Sequence, residues 1–363
     1  MDPFQPGLLQ RIEAPRRVAI VRASRLGDFI CATPAFRALR AALPRAQISL
    51  IALPMVREAA ELSPYIDRFI AFPGFPGMAE QFFEARRATG FMDAMQSRRF
   101  DLAIQMHGSG ANSNPFTLML GARYTAGYIR PGEEPGELDA ALPMPERGHE
   151  IDRALALAEF LGAPSQGGEI EFPVSRKDGA WAARLLARAP RPLIGIHAGA
   201  REAAKRWFPD RFAAAARELQ ERGGTIVLLG EDAAEGEYPA GTIDLTGKTT
   251  LGRLGGVIKL LDVLIGNDSG PAHIAYAVGT RTVTIFGGTD PAVWGPRDYV
   301  PRRILAPPVS WRTGSRDVSP KGDALLEAIS VRNVVDAAVE LLIAPGPVAG
   351  AGASVPPSPT TRR

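Results

Sequence analysis

At 363 residues the chain is long enough for two globular domains of roughly 150 residues each, and its 45% hydrophobic and 22% charged content excludes wholesale disorder. Its 42 basic and 39 acidic residues leave a net charge of only +3, without the concentrated positive field of a duplex-binding protein, so nucleic acid is not an expected partner. The single Cys31 excludes an internal disulfide, and neither a signal-peptide core nor an apolar run approaching roughly 18 residues is present, so the chain reads as cytoplasmic.

In chain order, Val18–Val21 is a compact β-branched run that ends in the loop Arg22–Asp28. An amphipathic stretch with Ile30, Phe36, Leu39 and Leu43 near helical spacing follows, and then a second apolar run, Ile48–Leu53. This is a βαβ unit. Residues 73–99 mix Phe, Met and Arg and predict a helix with an exposed face; Leu102–Ile104 is a further strand, ending at Gln105–Gly110. A helix over Asp152–Leu161 precedes the boundary, placed near 164–175 where Pro164-Ser165-Gln166-Gly167-Gly168 marks a linker that could hinge.

The pattern then repeats: strand Leu193–Ile196, loop His197–Phe208, helix Pro209–Arg222 and strand Ile226–Leu229. A short strand at Ile243–Leu245, a helix over Leu251–Leu261, strand Val263–Ile265, a loop to Pro271, a helix through Ala277 and strand Thr282–Phe286 complete it. Regular alternation of this kind predicts parallel sheets with helices on both faces and a ligand at the carboxyl ends of the strands. The expected division is 1–168, 169–344 and a tail, 345–363, too poor in large apolar groups to offset its ordering entropy.

Several common site signatures are absent. Gly241 and Gly247-Lys248-Thr249 have the wrong spacing and frame for a phosphate-binding P-loop, and no GxGxxG follows either leading strand. The four histidines show no metal-ligand spacing and no Asp-x-Asp pair occurs, so no metal or cofactor is expected. Ser269 and His273 lack the GxSxG elbow of a hydrolase.

Three loops at strand ends carry the chemistry. In Arg22-Ala23-Ser24-Arg25-Leu26-Gly27-Asp28 the aspartate is either a helix-start acid favoured by the dipole or a general base facing a cleft. In Gly266-Asn267-Asp268-Ser269-Gly270-Pro271-Ala272-His273 the helix start is either a simple N-cap or an anion site, with Asp268 placed to accept from hydroxyls. In His197–Trp207, Lys205 is either a solvated charge or a phosphate partner.

These segments resemble glycosyltransferase family 9, the heptosyltransferase family of lipopolysaccharide assembly. The resemblance covers most of 17–300: VRASRLGDFICATPAFRALRAALP, HEIDRALALAEFLGAP, IGIHAGAREAAKRWFPDRFAAAA and, most diagnostic, GNDSGPAHIAYAVGTRTVTIFGGTDPAVWGP. It implies a GT-B fold, two Rossmann-like domains facing each other across a cleft, and inverting transfer of heptose from an ADP-sugar to a hydroxyl of a lipid-linked glycan.

By the same resemblance, Asp28 matches the general base, and Lys205, Ser269, Gly270, Ser24 and Gly199 match groups around the donor diphosphate. Asp268 and Glu231 match contacts to the donor sugar and ribose. His273 is a brace of the phosphate loop or an acid, and His107 either touches the acceptor or is bonded to backbone. Arg25 follows Ser24 where many relatives carry a second hydroxyl residue, and no lysine occurs in 1–170, so no particular acceptor carries over. Membrane contact, expected to be peripheral on the cytoplasmic face of the inner membrane, would involve the stretch Phe72–Arg99. A nucleotide-sugar epimerase of the same fold and a non-catalytic scaffold are the rival readings.

Overall fold

The computed structural model describes residues 2–232, 235–307 and 325–344. Its first sheet contains β1 (Arg17–Val21), β2 (Gln47–Ala52), β3 (Arg68–Ala71), β4 (Leu102–Gln105), β5 (Tyr124–Ile129) and β6 (Ala140–Pro143), in the order β3-β2-β1-β4-β5-β6. The second contains β7 (Leu193–His197), β8 (Thr225–Leu228), β9 (Ile243–Asp244), β10 (Val263–Asn267), β11 (Thr282–Ile285) and β12 (Arg302–Leu305), in the order β12-β11-β10-β7-β8-β9. All pairings are parallel. Counted from its own first strand, each sheet runs 3-2-1-4-5-6, the doubly wound order. Strand order therefore reverses between β1 and β4 in one half and between β7 and β10 in the other, and crevices open at the carboxyl ends of those pairs. The loops after β1, β7 and β10 are the three singled out above.

Two expectations are corrected. The stretch after Asp28 is two helices, Leu26–Cys31 and Thr33–Ala42, because Pro34 has no N–H for the carbonyl of Ile30, four residues back. Thr33 supplies the missing donor, its Oγ1 donating to that carbonyl at 2.7 Å. Residues 73–99 are helical only over Ala85–Gln96. Pro73, Gly74, Pro76 and Gly77 break the preceding segment, with both glycines in the left-handed region. The tail 345–363 lies outside the described residues.

The halves are fastened to each other. One hydrophobic cluster runs from Ile20, Phe29 and Cys31 of the first half to Val257, Ala272 and Tyr276 of the second. Glu58 of the first half caps the helix Leu251–Ile258 of the second, accepting from the amides of Leu251 and Gly252 at 2.8 Å each. The linker 164–175 is tied to the first half: Arg37 donates to the carbonyls of Gly167 and Glu169 and pairs with Glu171, whose amide donates to Thr33 Oγ1 at 2.9 Å. None of the described helices is long and apolar enough to cross a membrane.

Candidate active site between the two sheets

The donor-side loops are pinned from below. Trp207 is fully buried against Phe212, and its indole N–H donates to the carbonyl of Ile329 at 2.9 Å. Asn267, at the end of β10, accepts from the Trp207 amide at 3.0 Å and donates to the Ala198 carbonyl at 2.8 Å and the Gly199 carbonyl at 3.5 Å. That side chain thus fixes both ends of the loop carrying Lys205.

Lys205 Nζ consequently meets Asp268 Oδ2 at 2.9 Å. The same oxygen accepts from Thr289 Oγ1 at 2.6 Å, and Oδ1 lies 3.6 Å from His273 Nε2. Burial alone would raise the Asp268 carboxyl, but Lys205, His273 and Thr289 outweigh it and hold the group well below the usual carboxylate range. Asp268 is therefore an anion at any working pH, shielded from water and aimed at a cation. Thr289 belongs to the Phe286-Gly-x-Thr-Asp-Pro stretch quoted above, and this contact gives that motif a physical role.

Next to it begins the helix Gly270–Val278. Its N-cap residue, Ser269, does not cap: Oγ donates to the Asn267 carbonyl at 3.1 Å and lies 3.1 Å from His197 Nδ1. The helix start thus lacks its usual side-chain acceptor and presents the positive end of the dipole beside Lys205. His197 is buried, and a Cβ on Gly199 would stand 3.3 Å from its Nε2.

Across the cleft the loop after β1 makes direct contact with this cluster. A Cβ on Gly27 would lie 2.8 Å from His273 Cδ2, and one on Gly270 would lie 3.0 Å from Leu26. Cys31 Sγ is 3.6 Å from His273 Nδ1. The imidazole of His273 thus stands between the Gly27–Cys31 turn and Asp268. Both Asp28 and Asp268 help to raise the Cys31 thiol, behind burial as the main cause. The structure brings Asp28, Lys205, Asp268, Ser269, Gly270, Gly199 and His273 into one region. Ser24 is buried nearby in the chain, and its hydroxyl has no hydrogen-bond partner among the described residues.

Two further predicted residues lie on other loops. Glu231 is exposed on the loop following β8, where its carbonyl approaches Gly247. His107 pairs with Glu80, Nε2 to Oε1 at 3.2 Å, and this contact lowers the Glu80 carboxyl with help from Arg25. The first sheet therefore places Arg25, Glu80 and His107 together on its own side of the cleft. Among the described residues, no three His, Cys, Asp or Glu side chains converge as metal ligands.

Residues missing from the sequence reading hold the lobes together. His149 N-caps the helix Glu150–Phe160, its Nδ1 accepting from the Ile151 amide at 3.1 Å, so Nε2 carries the proton and donates to the carbonyl of Gly295 in the other half at 2.8 Å. Asp152 pairs with Arg297 at 2.5 Å. Burial pushes the imidazoles of His149 and His197 down to about 4. The unfolded chain, with histidines near 6.5, therefore binds more protons than the folded one between pH 4 and 6.5. Stability should be complete above that window and fall by roughly 1.4 kcal/mol per pH unit per imidazole as acid is added. Melting temperatures recorded from pH 7.5 to 5 should show this decline. His149→Asn, which retains a capping oxygen, should flatten it; an unchanged slope would remove His149 from the account.

The family model for glycosyltransferase family 9 (heptosyltransferase) matches residues 89–304. The lipopolysaccharide core heptosyltransferase OpsX of Haemophilus influenzae is 21% identical over 77% of this chain and 81% of its own length. Lipopolysaccharide heptosyltransferase 2 of Escherichia coli K12 is 24% identical over 79% of this chain and 87% of its own. Among solved structures, E. coli ADP-heptose lps heptosyltransferase II superposes with a TM-score of 0.71 at 22% identity, covering 90% of this chain and 98% of that one. This superposition identifies the two-sheet arrangement as the GT-B fold.

Proposed function

The chain belongs to glycosyltransferase family 9, the heptosyltransferases, and from that membership we propose that it moves heptose, with inversion, from an ADP-linked donor to a hydroxyl of a lipopolysaccharide core or related lipid-linked glycan. The observation that carries this reading is the meeting of the Gly27–Asp28 turn with the Lys205–Asp268 cluster across a single imidazole. An inverting transfer needs a base on one face of the anomeric carbon and charge stabilisation for the diphosphate on the other, which this arrangement can supply from opposite lobes. The superposed E. coli enzyme is an ADP-heptose lps heptosyltransferase.

In this mechanism Asp28 takes the acceptor hydroxyl proton as that oxygen bonds to the anomeric carbon. The bond to the diphosphate breaks, and its electron pair leaves on the phosphate oxygen. Lys205 and the amides of Ser269 and Gly270 meet that charge, with Ser24 and Gly199 beside the diphosphate. Asp268 orients Lys205 and accepts from sugar hydroxyls, Glu231 engages the ribose, and His273 braces the loop. The charge on the leaving group is answered by groups of this chain, without a metal or cofactor in our scheme.

We place the enzyme in the cytoplasm, touching the inner membrane peripherally. The contact would be the segment before and into the helix Ala85–Gln96, where Phe82 is 87% exposed, Phe83 is exposed, and Arg86 and Arg87 face solvent. Two aromatic rings beside two guanidinium groups suit an anionic bilayer surface.

The test supplies radiolabelled ADP-heptose with acceptor glycolipid in anionic vesicles. Label should enter the glycolipid; label retained in an altered nucleotide sugar would instead indicate epimerisation. Converting Phe82 and Phe83 to Ser should reduce transfer to vesicle-borne acceptor severalfold and leave ADP affinity unchanged. Equal loss of both would remove this surface from the membrane contact.

A further inference from the structure

The side chains behind Asp28 form a second, buried layer beneath the cleft. Arg22, directly after β1, is only 5% exposed. Its Nη1 donates to the carbonyl of Met106, at the end of β4, at 2.7 Å. Nε and Nη2 both donate to the backbone carbonyl of Asp28, at 3.1 and 2.8 Å. Nη2 also meets Glu150 Oε1 at 3.0 Å, and Glu150 is 2% exposed. One planar guanidinium therefore spans the two strands that flank the crevice and the first helical turn beyond it, a geometry its fixed fork of donors permits.

The carboxylate that holds Arg22 is itself held. Glu150 opens the helix Glu150–Phe160, where the dipole favours an anion, and Arg153 Nη1 lies 3.6 Å from its Oε2. Its neighbours His149 and Asp152 are the residues that grip Gly295 and Arg297 of the other half. The support of the Asp28 turn and the contact between lobes thus arise within four consecutive residues.

We propose that Arg22, locked by Glu150, is a positioning residue for the reaction: it fixes the Asp28 turn so that the carboxylate meets the acceptor hydroxyl when the lobes are together. The inference rests on Asp28 being the proton acceptor. Arg22 touches the backbone of that residue and no reacting atom. Its contribution should therefore lie in turnover and not in donor binding, since misplacing a reacting group by about 1 Å can cost on the order of 100-fold.

The experiment measures labelled-heptose transfer and calorimetric ADP binding for Arg22→Lys, Glu150→Gln and Asp28→Asn. A lysine ammonium cannot span Met106, Asp28 and Glu150 together, so Arg22→Lys should lower kcat by roughly 10- to 100-fold. Donor KM and ADP stoichiometry should stay within about twofold of the parent, since every donor group except Ser24 lies on the other lobe. Glu150→Gln keeps an oxygen for Arg22 and should lower kcat about tenfold, which leaves the idea testable should Arg22→Lys fold poorly. An undiminished kcat in both variants, or a stoichiometry that falls in step with kcat, would overturn the positioning role. If Asp28→Asn is inert while both support variants turn over normally, this inference alone is wrong; if Asp28→Asn is active, the general-base reading goes with it.

Discussion

Asp28→Asn should lower kcat by about 10²- to 10⁴-fold, the usual contribution of a positioned general base, with ADP affinity retained. Asparagine has nearly the same shape and suits the start of a helix, so the turn Leu26–Cys31 should persist. The Arg22 bonds run to the backbone carbonyl and do not depend on the carboxylate. Gly27 would still lie against His273, and the donor cluster around Lys205 would be untouched. What is lost is the group that accepts a proton as the new glycosidic bond forms. Single-turnover measurements with saturating donor isolate that step, and a loss of less than threefold would place the base elsewhere.

Lys205→Met should act on two quantities at once. Turnover should fall by roughly 10²- to 10³-fold, because a preorganised cation at the leaving group acts mainly in the transition state. Stability should fall as well, since Asp268 is 3% exposed and would keep Thr289 and His273 but lose its lysine. Breaking a buried pair from one side costs roughly 3–5 kcal/mol, and the 16% exposure of Lys205 puts this case at the lower end. Adding Asp268→Asn removes the stranded charge and should restore most of the stability but none of the activity. Urea midpoints read the stability and steady-state kinetics the turnover. Wild-type turnover in Lys205→Met would remove the lysine from the chemistry.

The parts of the fold visible in the sequence are those with a local signal. Val18–Val21, Leu193–Ile196 and Val263–Ile265 are compact apolar runs flanked by turns, and they became the central strands β1, β7 and β10. β5, with the sequence YTAGYI, and the edge strand β12, RRIL, carry glycine, polar and exposed arginine residues, so neither pattern separates from a loop. The break at Thr33–Pro34 left the apolar spacing on both sides intact, which concealed it.

The site divides along the same line. Asp28, Lys205 and Asp268 could be picked out because their loops follow apolar strand runs and carry the residues that resemble family 9. Arg22, His149, Glu150 and Glu58 could not: their partners lie on separate elements far along the chain, and no spacing rule connects them. His107 was open between acceptor and backbone contacts, and its observed side-chain partner, Glu80, lies in the segment misread as helix.

The absence of a side chain at Gly27 has a bearing on descent as well as on geometry. The space it leaves is filled by His273, a residue encoded in the opposite half of the gene, and Gly270 answers in kind by making room for Leu26. Neither half can enlarge its residue at this seam unless the other yields. Recombination that swaps one lobe between distant homologues must therefore inherit these matched pairs intact, or produce a hybrid wedged apart where its reactants should meet.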